Sequence, residues 1–239
     1  MPDNQIRLQA FLAHCGVASR RSCEKIIMEG RVAVNGQICS ALGTKVSQFD
    51  RVTVDGKPVS LETEMHYVAL YKPKGYVCTL SDEMGRPTAY DLLKDYFNVR
   101  LYNVGRLDMY SEGLVIFTND GDFAAKLSHP SNDVEKEYFV ETVHPVPDDI
   151  GEKFCRGVRV DNIFYKCVSA KKTDRNHMKI TLVEGKNREI RNVLNHFGVK
   201  IKRLLRFRIG NLTIDELKLQ SGQFRSIDEK TALGIFSKV

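Results

Sequence analysis

The stretch GRLDMYSEGL, residues 105–114, sets an arginine and a carboxylate two positions apart between glycines, directly before the apolar run VIFT. On extended backbone that spacing puts Arg106 and Asp108 on one face, and the glycines let the chain bend around them. A carboxylate held there can attack an electrophilic carbon, take a proton from carbon, or simply pair with a cation. The residue types leave all three open. A second cationic set lies in EGKNREIRNVLNHFG, residues 184–198, where Asn187 offers an N-cap and Gly198 a stop. Arg188 and Arg191 then fall in the first turns of a helix, on neighbouring faces. In the strand that follows, Lys200, Lys202, Arg206 and Arg208 share one parity; Ile201, Leu205, Phe207 and Ile209 share the other, with Arg203 and Leu204 breaking the pattern. The alternation predicts one packed side and one basic side, an anion track. Lys72 and Lys74, in YKPKGYVCT, stand at a turn made by Pro73 and Gly75 and are further candidates for contact with an anion.

The elements that must position these groups read as an α+β protein. From His66 onward short alternating strands outnumber helices: YVALYK, LYNV, LVIFT, KEYFVETV and the basic strand, against DLLKDYF, DFAAKLS and REIRNVLNHF. That order predicts a mostly antiparallel sheet with flanking helices over residues 66–239. The polar and acidic residues 61–65 read as a linker. Before it, IRLQAFLAH ends at Gly16, and Ser19 caps RRSCEKIIMEG; the strands that follow turn at Asn35-Gly36 and Asp55-Gly56. Residues 1–60 are thus expected to form a separate small domain of two helices and a sheet. Arg7, Arg20, Arg21, Lys25 and Arg31 gather at its helix starts and first strand, where they are placed either to clamp phosphates or to form a solvated basic face.

Composition narrows the class without choosing a function. The 239 residues carry 36 Lys and Arg against 30 Asp and Glu, a formal charge of +6 that favours an anionic partner only mildly. The six cysteines show no CxxC spacing and the histidines no HxxxH or HExxH, so reduced thiols and no metal are expected. MPDNQIRLQAFLAHCG lacks the apolar core of an export signal, and nowhere do eighteen apolar residues run together. A cytoplasmic protein away from membranes is the expectation.

The order of blocks carries more than any one of them. Residues 19–36, SRRSCEKIIMEGRVAVNG, resemble the S4-like (alpha-L) RNA-binding domain, which implies recognition of RNA shape and phosphates. YKPKGYVCT, then GRLD with SEGL and TNDG, then HP and KEYFV, then EGKNREIRNVLNHFG resemble, over essentially the whole chain, the RsuA and RluB type of ribosomal RNA pseudouridine synthase. The resemblance implies an antiparallel-sheet catalytic domain with a central cleft and isomerisation of one uridine in ribosomal RNA, with no cofactor. It assigns Asp108 the essential carboxylate, Arg106 a hold on the RNA and its flipped-out nucleotide, Tyr138 packing on the target base, and Arg191 pairing with the aspartate. Arg188-Glu189 replaces the His-Gln pair of many relatives, and Met109-Tyr110-Ser111 departs from the commoner Asp-x-Thr. The expected substrate is large- or small-subunit rRNA in an assembly intermediate, met by a monomer. Two other classes compete: a non-catalytic RNA-binding or ribosome-assembly protein, which needs the basic surfaces but not Asp108, and a glycoside-cleaving enzyme, for which Asp120 and Asp122 are the nearby second carboxylates.

Overall fold

A computed structural model describes residues 5–237 of the chain. Residues 1–4, where the expected front domain and the segment read for export signals begin, lie outside the described residues. The chain divides into two compact units, Met1–Met65 with Asn119–Gly121, and His66–Thr118 with Asp122–Val239. Residues 61–65 cluster with the first unit, in which the Glu62 N–H donates to the His14 carbonyl.

In the first unit the helices run Leu8–His14 and Arg20–Met28, and the Ser19 side chain accepts the Ser22 N–H at 3.1 Å. Leu8, Phe11, Leu12, Cys23, Ile27 and Val32 are buried against one another. Ile6 and Arg7, expected to open the first helix, instead pair with Val46 and Lys45. The four-stranded sheet runs Gln37–Ile38, Val32–Val34, Val52–Val54, Lys57–Val59. Its two outer hairpins turn at Asn35-Gly36 and Asp55-Gly56, all four residues at positive φ, as tight two-residue turns demand.

The second unit is built on one large sheet in the order Ser169–Asp174, His177–Leu182, Lys136–Thr142, Ile201–Ile209, Glu112–Thr118, Tyr67–Lys72, Phe224–Ile227. Every neighbouring pair in that order is antiparallel except Ile201–Ile209 with Glu112–Thr118. Both faces are covered. On one, Val68, Val115, Phe117, Val140 and Ile180 pack with Phe154, Ile190 and Leu194 of the helices Ile150–Arg156 and Glu189–His196. On the other, Tyr67, Ala69, Leu114 and Ile116 meet Phe123, Leu127, Leu217 and Ile235. Coverage on both sides explains why all six residues of Tyr67–Lys72 are buried. DLLKDYF does not form the expected α-helix. A 3-10 turn, Ala89–Leu92, replaces it, opened by the reciprocal bonds of Thr88 and Asp91.

The parallel contact needs a glycine. Gly113 has φ +117, and a Cβ there would come 2.2 Å from the Arg206 carbonyl oxygen and 2.7 Å from its nitrogen. Both are backbone atoms of the partner strand and have nowhere to go. Gly113→Ala is therefore expected to lower the unfolding free energy by about 3 kcal/mol or more. Urea denaturation followed by circular dichroism reads this; a change within experimental error would show that the strands can part without cost.

Candidate active site

Two strands share one edge of Glu112–Thr118. Ile201–Ile209 runs parallel to its beginning, pairing Leu205 with Glu112 and Arg206 with Gly113. Tyr102–Val104 runs antiparallel to its end, pairing Tyr102 with Thr118 and Val104 with Ile116. Between those contacts the two neighbours part, and the buried Arg206 side chain bridges the break: its Nε donates to the Leu114 carbonyl at 2.8 Å. The connection 105–111, which contains Asp108, closes the hairpin beside this gap.

That connection is held from three directions. The Gly75 N–H donates to the Met109 carbonyl at 2.7 Å, and the Leu107 N–H to Cys78 Sγ at 3.3 Å. Arg191 Nη2 donates to the Tyr110 carbonyl at 2.8 Å and to the buried Ser111 Oγ at 3.0 Å. At the start of the next strand Glu112 is fixed by Arg203 Nε at 2.9 Å, and Arg203 also reaches the Tyr71 hydroxyl.

Asp108 lies in a cavity of about 340 Å³ whose lining includes Arg106, Lys136, Tyr138, Arg188, Arg191 and Arg206. That volume is in the range of roughly 300–1,000 Å³ usual for small-molecule sites. Asp108 Oδ2 is 3.3 Å from Arg191 Nε and 3.6 Å from Arg188 Nη1. Arg191 Nε makes no aligned hydrogen bond, so its approach to Asp108 is a charge contact. Burial pulls the Arg191 guanidinium below its ordinary pKa, and the Asp108 charge counters that pull. Tyr138 is buried with its side chain on the cavity; Arg106 and Arg188 are exposed at it. A second depression of about 290 Å³, lined by Arg188, Arg191, Asn192, Asn195 and Lys200, shares the two arginines with the first.

Other cations stand where parity did not put them. The pairing of Ile201–Ile209 with Lys136–Thr142 slips twice, between Glu137 and Tyr138 and between Glu141 and Thr142, leaving Phe207 and Lys202 as extra residues. Each bulge reverses the alternation. Arg208 thus faces Glu137 at 2.9 Å and Glu135 at 2.7 Å, Lys202 pairs with Glu141 at 2.6 Å, and Arg206 turns inward to 3 % exposure. The continuous basic strand face does not exist; of the four, Lys200 and Lys202 are exposed. Lys72 is fully buried, donating to the Pro73 and Tyr76 carbonyls at 2.8 Å, and burial lowers its pKa to about 8. It shapes the turn that supports Met109 and does not meet solvent; Lys74 does.

Asn187 does not cap the helix Glu189–His196. Arg188 occupies the N-cap at φ 52, the Asn187 carbonyl accepts from Asn192, and the buried Glu189 carboxylate closes the turn on the Lys186 N–H at 3.0 Å. In the first unit Arg7, Arg20, Arg21 and Lys25 are exposed. Arg31 is exposed too but clamped, 2.6 Å from Asp55 and 3.1 Å from Glu29, so its charge is already answered. Sequence reasoning missed Lys136, which lines the cavity, donates to the Val134 and Val183 carbonyls, and has its pKa lowered to about 8 by burial and then by Arg206. A lysine opening an alternating strand gives no sign of facing inward. Asp120 and Asp122 are absent from the cavity lining.

Comparisons with known proteins find matches for both units. The profile of the RNA pseudouridylate synthase family matches residues 66–196, and that of the S4 domain residues 6–52. A Borreliella burgdorferi protein named as an RNA pseudouridine synthase is 39% identical over 217 residues, 89% of this chain and 86% of the relative. Proteins named ribosomal large subunit pseudouridine synthase B are similar as well. The one from Yersinia pestis is 37% identical, over 94% of this chain and 73% of its own length, and that from Bacillus subtilis 36%, over 84% of each. A crystal structure of a pseudouridylate synthase superposes with a TM-score of 0.71 at 27% identity, covering 96% of this chain and 99% of that one. Among the described residues, no helix is long and apolar enough to cross a membrane.

The Arg191 contacts with the 105–111 connection give a direct test of its positioning role. Losing two hydrogen bonds from a charged donor costs the local structure about 1–3 kcal/mol. Arg191→Met should therefore speed amide exchange at Ser111 and Gly75, whose N–H groups bond the Asp108 and Met109 carbonyls, by about tenfold or more while leaving exchange at Val115 unchanged. Equal exchange in both proteins would mean that Gly75 and Cys78 hold the connection without help.

Proposed function

The chain belongs to the RNA pseudouridylate synthase family, and from that premise we propose that it isomerises a specific uridine of large-subunit ribosomal RNA at the Asp108 cavity. The observation that carries the site assignment is the meeting of Asp108, Arg191 and Tyr138, from three distant sequence blocks, around one cavity. The names of the Yersinia pestis and Bacillus subtilis relatives support the choice of subunit.

Pseudouridine formation breaks the bond between ribose C1′ and uracil N1, turns the base, and joins C1′ to C5; the C5 proton is lost and N1 gains one. All atoms of the nucleotide are accounted for without a group donor. Asp108 is the carboxylate beside the sugar, either attacking C1′ or taking the proton from C2′. Arg191 holds it there by charge while fixing Tyr110 and Ser111. The base cannot react within a stack, so it is turned out of the RNA at a cost of about a few kcal/mol, and the flat face of Tyr138 receives it. Arg106 and Arg188, exposed at the cavity mouth, and Lys200 in the adjoining depression meet phosphates on either side of the extruded nucleotide. The first unit adds further phosphate contacts. Arg20 and Arg21 sit at the positive end of the helix Arg20–Met28, where cations do not stabilise the helix itself and an arriving anion is favoured by both.

Asp108→Asn keeps the side chain's size and removes its charge. Pseudouridine formation on purified rRNA should fall below detection, at least about a thousandfold, with melting temperature and RNA affinity nearly unchanged. Full turnover by that variant would remove Asp108 from the chemistry and place the reaction on another group.

A further inference from the structure

Arg206 is a buried cation whose charge the fold leaves unanswered. Its Nε is used, on the Leu114 carbonyl, but its Nη2 is buried with no hydrogen-bond partner, and no carboxylate pairs with it among the described residues. A half-buried cation nearby, Lys136, spends donors on the Val134 and Val183 carbonyls, and the buried Lys72 spends its own on the Pro73 and Tyr76 carbonyls. An orphaned guanidinium N–H is costly once buried, and bridging Leu114 does not require it: a shorter, neutral donor would serve. Arg206 also lines the cavity, and in the antiparallel register it stands directly opposite Tyr138. Directly opposed residues share a face, with Cβ atoms roughly 4.5–5.5 Å apart. The bulge at Phe207 creates this pairing, since without it Arg206 would fall on the other face.

We infer that Arg206 is a base-binding residue: its guanidinium donates an N–H to a carbonyl oxygen of the uracil that lies against Tyr138. The inference rests on the uridine-isomerising reading of this cavity and adds a group to it. When the C1′–N1 bond breaks, the electron pair stays with the base, and the negative charge spreads from N1 onto O2 and O4. A fixed cationic donor at one of those oxygens binds that anion more strongly than it binds neutral uracil. It therefore lowers the barrier to cleavage and holds the free base while it turns to present C5. Arg206 acts on the base, Asp108 on the sugar, and the two duties fall on opposite sides of the bond that breaks.

The test combines a change in the enzyme with a change in the substrate atom. A fragment of large-subunit rRNA carrying the target uridine, located by mapping, is made with oxygen, or with sulfur at C2 or at C4 of that one base. Release of tritium from C5 is followed in single turnovers at saturating RNA. Sulfur accepts a hydrogen bond poorly, yet thiouracil is the more acidic base, so substitution slows cleavage only where a donor to that atom is lost. Wild-type protein should slow by about tenfold or more at one of the two positions. Arg206→Lys, which keeps the charge but not the fork, should be slow on oxygen and show no further loss on sulfur at that position. Equal wild-type rates on all three RNAs, or a sulfur effect that persists undiminished in Arg206→Lys, overturns the inference, as does a variant that loses affinity and not rate, which makes Arg206 a phosphate contact. If Arg206→Lys does not fold, Arg206→Gln replaces it in the same comparison, and equal wild-type rates on the three RNAs still overturn the inference. A wild-type protein that releases no tritium from the oxygen substrate brings down the isomerase reading itself, a result distinct from all of these.

Discussion

One edge of the strand Glu112–Thr118 serves two partners, and the cavity exists because it does. Ile201–Ile209 can lie against the start of that edge only where residue 113 has no side chain, and Tyr102–Val104 takes the rest. A sheet interrupted in this way has unmet carbonyls at the break, and Arg206 supplies the donor that the departing backbone withdraws. The gap that remains is where the 105–111 connection, Tyr138 and the start of the helix Glu189–His196 come together. A regular seven-stranded sheet would bury the same apolar surface and have nowhere to admit a nucleotide.

The charges in this gap are unequal by design of the fold. Asp108 is surrounded by Arg106, Lys136, Arg188, Arg191 and Arg206, and the other carboxylates of the lining are placed differently: Glu189 is turned to the Lys186 N–H and Glu184 pairs with Lys186. An excess of buried and half-buried cations costs stability when the cavity is empty and favours an anionic occupant. In the proposed reaction RNA brings phosphates to the mouth, and bond cleavage makes a second negative charge at the floor. The connection that carries Asp108 is held by Gly75, by Cys78 and by Arg191 acting on the Tyr110 carbonyl and Ser111, so the carboxylate is positioned without surrendering its oxygens to tight hydrogen bonds.

Much of this was legible in the sequence where a local rule governs. Asn35-Gly36 and Asp55-Gly56 announce their hairpins, Ser19 its helix, and the α+β order of elements its sheet. Arg106, Asp108, Tyr138, Arg188 and Arg191 were named in advance, and all line the cavity. What local rules missed has one main physical origin. Parity counting assumes an unbroken register, and two bulges in Ile201–Ile209 sent Arg206 inward and Arg208 and Lys202 into ion pairs. The other losses come from contacts that composition does not encode: Lys72 buried beneath its own turn, Lys136 in the lining, and the exposed Arg31 closed onto Asp55 beside the neighbouring strand. Lysines and arginines have long apolar stems, so a buried cation and a solvated one share the same letters.

The account stands on the claim that this cavity converts uridine to pseudouridine in ribosomal RNA. Mapping pseudouridines in total rRNA from cells that carry the chain, and from cells deleted for it, tests that claim most directly. The account predicts loss of modification at one large-subunit position, or a small cluster, with the remaining positions unchanged. Identical maps from the two strains would contradict it.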